Sequence, residues 1–307
     1  MEKSRSSKLK KDLDIELFSG EFWSGRKAKE LGLIDGIGNS DQILREKFGD
    51  SVIVKKFEKS KGWLAKKLSS NNQTEQVVSI LEEIDNNKNI SCAILTGAGK
   101  SFSSGGNLHE INEMTENNNM SLRDIENWYR NGIQRIPMTF NKIDVPVIAA
   151  VNGHAIGAGN DLCTMCDIRI ASENAKFSES FLRIGIIPGD GGSWFLPKII
   201  GLSRATEMIL TCEVLDAQKA LDWGLVSHVV PQEELLNKAY EIANKIIKNP
   251  PQSIRRAKRL LRLSQNINLH TALEMAASQQ TLLQMTSDHK EAIQALIEKR
   301  EARYNNK

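Results

Sequence analysis

The apolar positions of this chain form short runs and helical stripes with no single period. Val147-Ile148-Ala149-Ala150-Val151, opened by Pro146, is a β-type run, and Asn152-Gly153 ends it with a turn signal. Gly153, Gly157 and Gly159 follow among small residues, and Asp161-Leu162-Cys163-Thr164-Met165-Cys166 then reads as helix-compatible. The predicted order is strand, glycine-rich loop, helix. The same order occurs upstream, where the run Cys92-Ala93-Ile94-Leu95-Thr96 leads into the small residues and glycines of 97–107 and then helix-like sequence. Before it, apolar residues at 77, 80, 81 and 84 fit one helical face. Residues 110–131 are polar and Asn-rich and predict a mobile, partly helical flap, while the chain beyond Asn249-Pro250-Pro251 predicts helices, the first of them basic and amphipathic over 253–263.

A strand-to-helix junction of this kind has a definite chemistry. The first N–H groups of a helix lack an intrahelical acceptor, and the helix dipole adds positive potential there. Glycine and alanine let another group approach that backbone. Such a site favours an anion, whether bound or formed during a reaction. Two such junctions can aim two N–H groups at one oxygen.

Composition narrows the class. The chain has 307 residues, 40% of them hydrophobic and 26% charged, which suits a globular protein of one large core or two domains. It contains no run of eighteen apolar residues, and its first residues are charged, so the expectation is a soluble, cytoplasmic protein without a membrane partner. A net charge of +3 does not suggest nucleic acid. Four cysteines in this length make no disulfide framework, and Cys163-x-x-Cys166, although spaced as a redox pair, lies in an apolar segment and reads as two small core residues.

Three stretches in order, LTGAGKSFSSGGNL, VPVIAAVNGHAIGAGNDL and KFSESFLRIGIIPGDGG, resemble the enoyl-CoA hydratase/isomerase (crotonase) family from about residue 74 to the end of the chain. The resemblance implies an α/β fold, a crotonase/ClpP-like superhelix of ββα turns with a C-terminal helical oligomerisation region. It implies division into an N-terminal segment and linker (1–70), a core (71–250) and a helical region (251–307). It further implies an acyl-CoA thioester substrate, no metal, no cofactor other than the coenzyme A carried by the substrate, and a homotrimer or hexamer.

The same resemblance assigns residues. The oxyanion donors are the N–H groups of Gly106 and Ala158, and the thioester is held by Ser104, Gly105, Gly106, Asn107, Leu108, Gly157, Ala158 and Phe181. Lys299 matches a lysine that reaches the CoA phosphates. Asp161, three residues after Ala158, stands at one acid/base position, the reading favoured; as a residue alone it is also a normal helix cap or dipole partner. Phe181 occupies the position of the family's second glutamate and cannot move protons. Asp190, in Pro188-Gly189-Asp190-Gly191-Gly192, is either a turn former or N-cap or the substitute acid, because relatives that rearrange double bonds use an acid in this turn. Glu179 is a lesser candidate, His154 reads as a packing or wall residue, and His109 as surface. The function expected is hydration of a 2-enoyl-CoA; double-bond isomerisation is the alternative within the family, and a non-catalytic assembly protein the alternative outside it.

The N-terminal segment differs in character. Residues 1–70 carry 16 basic and 11 acidic side chains, a balance of +5, against −2 for the rest. Its opening reads as solvated, and residues 12–58 resemble the C-terminal tail of an S49 (signal peptide peptidase A-like) serine peptidase, whose nucleophile and lysine base would lie upstream. Glu21, Ala28, Gly32 and Leu33 recur at constant offset as Glu213, Ala220, Gly224 and Leu225, a weak internal repeat. The N-terminal hairpin usual in crotonases is not found. Residues 52–57 are a candidate to supply its strand, and a truncated or misassembled reading frame is the other account.

Overall fold

The computed structural model describes residues 69–116 and 120–306. All of them belong to the compact unit Lys59–Lys307. The S49-like stretch, the first copy of the repeat and residues 52–57 therefore lie outside the described residues.

The chain enters on helix α1 (Ser69–Asn86) and then alternates between two four-stranded sheets. Strands β1 (Ala93–Thr96), β3 (Val147–Val151), β5 (Ile168–Ser172) and β8 (His228–Val230) form one, in that order and all parallel. Strands β2 (Ser101–Ser103), β4 (His154–Ile156), β6 (Lys176–Ser178) and β7 (Leu215–Asp216) form the other. The first three turns of chain each give one strand to each sheet and return by helix, which is the ββα spiral that the resemblance implies; the last gives β7, antiparallel to β6, then a helix, then β8. β3 is buried at all five positions, as its unbroken apolar run requires of a strand covered on both faces.

The spiral is pinned where the sequence shows its turn signal. The buried Asn152 side chain accepts from the Gly97 N–H at 3.0 Å and donates to the Gly99 carbonyl at 2.9 Å, joining the end of β3 to the loop after β1. Only glycine fits at this seam: a Cβ on Gly153 would lie 2.0 Å from the Lys100 carbonyl oxygen. The two glycine-rich junctions are therefore stacked directly on each other.

Helix α1 buries Thr74, Val78 and Leu81, with Val77 packed alongside. The buried stripe is rotated slightly from the 77, 80, 81, 84 face expected, because the polar Thr74 turns inward with it. The expected flap consists of two helices, α2 (Leu108–Glu116) and α3 (Leu122–Asn131). Ser121 and Asp124 form a capping box on α3, which has no buried residue. Short helix α4 (Arg135–Phe140) then leads to β3.

After β4 comes α5 (Ala158–Met165); it begins at the proposed donor, three residues earlier than the apolar pattern indicated. Helices α6 (Gly192–Ile200), α7 (Leu202–Thr211), α8 (Ala217–Asp222) and α9 (Leu235–Ile247) complete the core. The last three are α10 (Pro251–Ser264), α11 (Leu269–Gln284) and α12 (Ser287–Glu298). The basic face of α10 is not simply solvated. Lys258 is buried, donates to the Val145 carbonyl at 2.5 Å and pairs with Asp167 at 2.8 Å. Arg262 meets the other Asp167 oxygen at 2.8 Å, and Arg255 pairs with Asp85 at 3.0 Å. Helix α10 is thereby bolted to the core, whereas α11 buries no residue. Among the described residues no helix is long and apolar enough to cross a membrane.

Candidate active site

The two glycine-rich junctions meet at Gly105 and Ala158. Gly105 has φ +83, a left-handed conformation that glycine adopts without strain, and a Cβ on it would lie 2.7 Å from the Ile156 carbonyl oxygen and 3.4 Å from the Ala158 nitrogen. The Gly105-Gly106 backbone thus lies against the first turn of α5. Ala158 is the first residue of that helix, so its N–H has no intrahelical acceptor, and the Gly157 N-cap offers no side chain to take it. Among the described residues no hydrogen bond engages the N–H of Gly106 or of Ala158. Ser103 Oγ accepts the Gly105 N–H at 3.4 Å, and Asn107 Oδ1 accepts the His109 N–H at 3.1 Å, which holds the loop as it enters α2.

Phe181 is brought to the same place. It is buried, starts a 3-10 helix, and its ring lies about the Gly157 turn: a Cβ on Gly157 would be 3.8 Å from Phe181 Cζ. Leu108, the first residue of α2, is 61% exposed. Lys299 is not brought in by this chain's contacts; it is exposed and caps the end of α12 with φ 54. His154 is exposed on β4, where its position alternates away from the buried Ala155, so of the packing and wall roles expected it does not fill the first. His109 is exposed, as expected. Cys163 and Cys166 are buried in the core; burial pushes the Cys163 thiol up to about 12, so neither offers a thiolate.

The polar centre of the region is a set of three buried carboxyl groups. Asp161 and Glu179 are fully buried and Asp190 is 8% exposed. Asp161 is no cap, since Gly157 holds that position and the Asp161 side chain faces inward against the start of α6. Asp190 is no cap either; Gly191, at φ 114, is the N-cap of α6. The turn carrying Asp190 is anchored from the flap side by Gln134 Nε2, which donates to the Gly189 carbonyl at 3.1 Å, and Tyr129 of α3 lies close enough to feel the Asp190 charge. Asn160 Nδ2 donates to Glu179 Oε1 at 2.6 Å.

Buried polar atoms are nearly always satisfied, so exceptions carry information. Five buried side-chain oxygens lack a hydrogen bond among the described residues, and four of them cluster here: Asn160 Oδ1, both Asp161 oxygens and Glu179 Oε2. Desolvation raises all three acids. Asp161 is held well above the ordinary carboxylate range, by burial first and then by the charges of Glu179 and Asp190. The nearby Gly192 N–H opposes this weakly, without a well-formed hydrogen bond. Glu179 is raised to about 7, mainly by burial, and Asp190 to about 6 by burial. Acids that exchange protons near neutral pH suit proton transfer to and from carbon. Glu179, a lesser candidate from the sequence, is the most deeply buried of the three together with Asp161. Its only signal was a charged residue one step beyond β6, a strand that is otherwise mostly buried.

Described residues contain no cluster suited to a metal ion. Among known proteins, the profile of the enoyl-CoA hydratase/isomerase family matches residues 51–307. That match starts well before residue 74 and overlaps the end of the S49-like stretch. The short-chain-enoyl-CoA hydratase of Clostridium acetobutylicum is 37% identical over 222 residues, covering 72% of this chain and 82% of that protein. The 1,2-epoxyphenylacetyl-CoA isomerase of Escherichia coli is 32% identical over 233 residues, covering 76% and 87%. A crystal structure of enoyl-CoA hydratase from Bacillus anthracis superposes with a TM-score of 0.71 at 36% identity, covering 77% of this chain and 89% of that one. With its spiral of ββα turns, its adjoining glycine-rich junctions and these matches, the chain belongs to the enoyl-CoA hydratase/isomerase family and is an enzyme of that lyase and isomerase class.

Proposed function

We propose that the protein adds water across the double bond of a 2-enoyl-CoA, with Asp161 and Asp190 as its acid/base pair. The observation that carries this reading is the buried carboxyl cluster set beside two backbone N–H groups that have no acceptor among the described residues. The thioester oxygen sits between the N–H groups of Gly106 and Ala158. Water bonds to Cβ as Asp190 takes its proton, the electron pair moves onto the thioester as an enolate, and Asp161 delivers a proton to Cα. Charge builds on the oxygen only during reaction, and fixed dipoles stabilise it without reorganising; one such donor is worth about 3–4 kcal/mol of barrier. Ser104, Gly105, Asn107, Leu108, Gly157 and Phe181 line the thioester and acyl path. The resemblance supports Lys299 as the cation for the CoA phosphates.

A row of exposed apolar side chains on the last two helices, Leu269, Leu273, Leu282, Leu296 and Ile297, supports a homotrimer or hexamer in which they are covered. A cytoplasmic setting fits acyl-CoA chemistry and four free cysteines, three of them buried. Phe181 at the second glutamate position favours double-bond isomerisation as the second reading, since a single mobile acid can shuttle a proton between carbons.

The test is loss of enoyl absorbance from a short trans-2-enoyl-CoA with full-length protein and with Asp161→Asn. Turnover by the first and a drop of about 100-fold or more in the second supports hydration. A folded protein inert on this substrate but active on a 3-enoyl-CoA would replace hydration with isomerisation, and inertness on both would leave a non-catalytic binding protein.

A further inference from the structure

Glu179 lies between the end of β6 and the 3-10 helix that begins at Phe181. Glutamate is almost never wholly buried unless paired, yet Glu179 is. Among the described residues no cation is seen to act on it, nor on Asp161 or Asp190; burial, the neighbouring carboxyls and hydrogen bonds shift these groups. Asn160 Nδ2 donates to the Glu179 Oε1 at 2.6 Å. The free Oε2 adjoins a second carboxyl, Asp161, whose two oxygens are equally without a partner. Two adjacent carboxyls in a water-poor site cannot both ionise; one proton held between them turns repulsion into a hydrogen bond. Asn160 settles which group carries it: an amide N–H donor stabilises the anion on Glu179, so the proton rests on Asp161.

We propose that Glu179 is a positioning residue, clamped by Asn160, whose carboxylate keeps the shared proton on Asp161 and so maintains Asp161 in the form that delivers a proton to Cα. The role deepens the proposed acyl-CoA chemistry and rests on it for its purpose, although the shared proton itself does not. When Asp161 gives up its proton, the pair carries two adjacent negative charges, which drives recapture of a proton from the solvent side and restores the starting state. The groups facing the pair are few: Asn160 and the neutral Cys163 thiol from α5, Asp190 from the turn before α6, and the Gly192 N–H at the start of α6. The raised positions of Asp161 and of Glu179, the latter near about 7, agree with one retained proton at neutral pH.

The experiment is an infrared pH titration of the protonated-carboxyl stretch in full-length protein, run on wild type, Glu179→Gln, Glu179→Asp and Asp161→Asn. A pH profile of kcat/KM accompanies it. Wild type is expected to retain a protonated-carboxyl band well above the ordinary carboxylate range, and Asp161→Asn to remove it. Glu179→Gln should lower the midpoint of that band by about one pH unit or more, with the corresponding limb of the rate profile moving the same way, and Glu179→Asp should recover part of the shift. A midpoint unmoved in Glu179→Gln, with only a loss of melting temperature, would overturn the proposal. So would a wild-type spectrum without the band, which decides the matter even where the Gln variant fails to fold. The infrared reading needs no turnover, so a protein that shares the proton but does not hydrate would overturn the functional reading and leave the shared proton standing.

Discussion

Gly192→Ala tests the site through one added carbon. Gly192 is the first residue of α6 and buried, and its backbone lies outside the left-handed region, so alanine meets no conformational objection there. The objection is spatial: the new Cβ would lie 2.1 Å from Asp161 Oδ1 and 2.9 Å from its Cγ. To restore ordinary contact the carboxyl must retreat by about 1 Å or more. Overpacking of this kind costs about 1–3 kcal/mol. In a unit of this size that lowers Tm by about 2–12 °C. Misplacing a catalytic group by about 1 Å costs about 100-fold in rate, so kcat should fall far more than the residual stability explains. The assay pairs enoyl-CoA hydration with thermal unfolding. Gly189→Ala, in the same turn, is the control, because its Cβ would come no closer than 3.8 Å to the Ile187 carbonyl oxygen. The control should keep kcat within about 2-fold of wild type. Gly192→Ala with a kcat equal to the control would refute the reasoning, since Asp161 would then work without the position that Gly192 allows it.

Two further outcomes follow from other parts of the molecule. Lys258→Met should cost about 3 kcal/mol, at the low end for breaking a buried pair because Arg262 still neutralises Asp167, and thermal unfolding should show a Tm lower by about 6–12 °C with kcat nearly intact. The raised acids set a pH dependence of stability. Asp190 and Glu179 move from ordinary values of 3.8 and 4.5 to about 6 and about 7 on folding, so the folded state binds more protons across that window, and stability falls as pH rises through it. Denaturant titrations between about pH 4 and 8 should show this decline, with a shallower slope in Asp161→Asn, which removes the raised titration of Asp161 itself.

The fold was legible in the sequence wherever a pattern was local. The unbroken run 147–151 marked the central strand, Asn152-Gly153 marked its end, and the glycines marked the two junctions, because close approach of backbone admits only the smallest residues. Helix starts were less legible. The first turn of α5 is Ala158-Gly159-Asn160, which has no apolar stripe to announce it, and the helix is fixed instead by packing on β2 and β4. The rotation of α1 onto Thr74 is of the same kind, a tertiary override of a hydrophobic pattern.

What the sequence alone determined was the order of strands, turns and helices, the family, and the residue types on offer for chemistry: Asp161, Asp190, a phenylalanine at 181, and two glycine-rich loops. Those features are written in short windows, where side-chain size and backbone freedom act within a few residues. Only the tertiary structure decided which acids count. Glu179, Asp161 and Asp190 lie on three different segments, and nothing in the spacing from 161 to 179 to 190 says that all three lose their water together. Their raised proton affinities, the orphaned oxygens and the Asn160 clamp arise from desolvation by the assembled core, a property of the enclosing surface that no single stretch of sequence possesses.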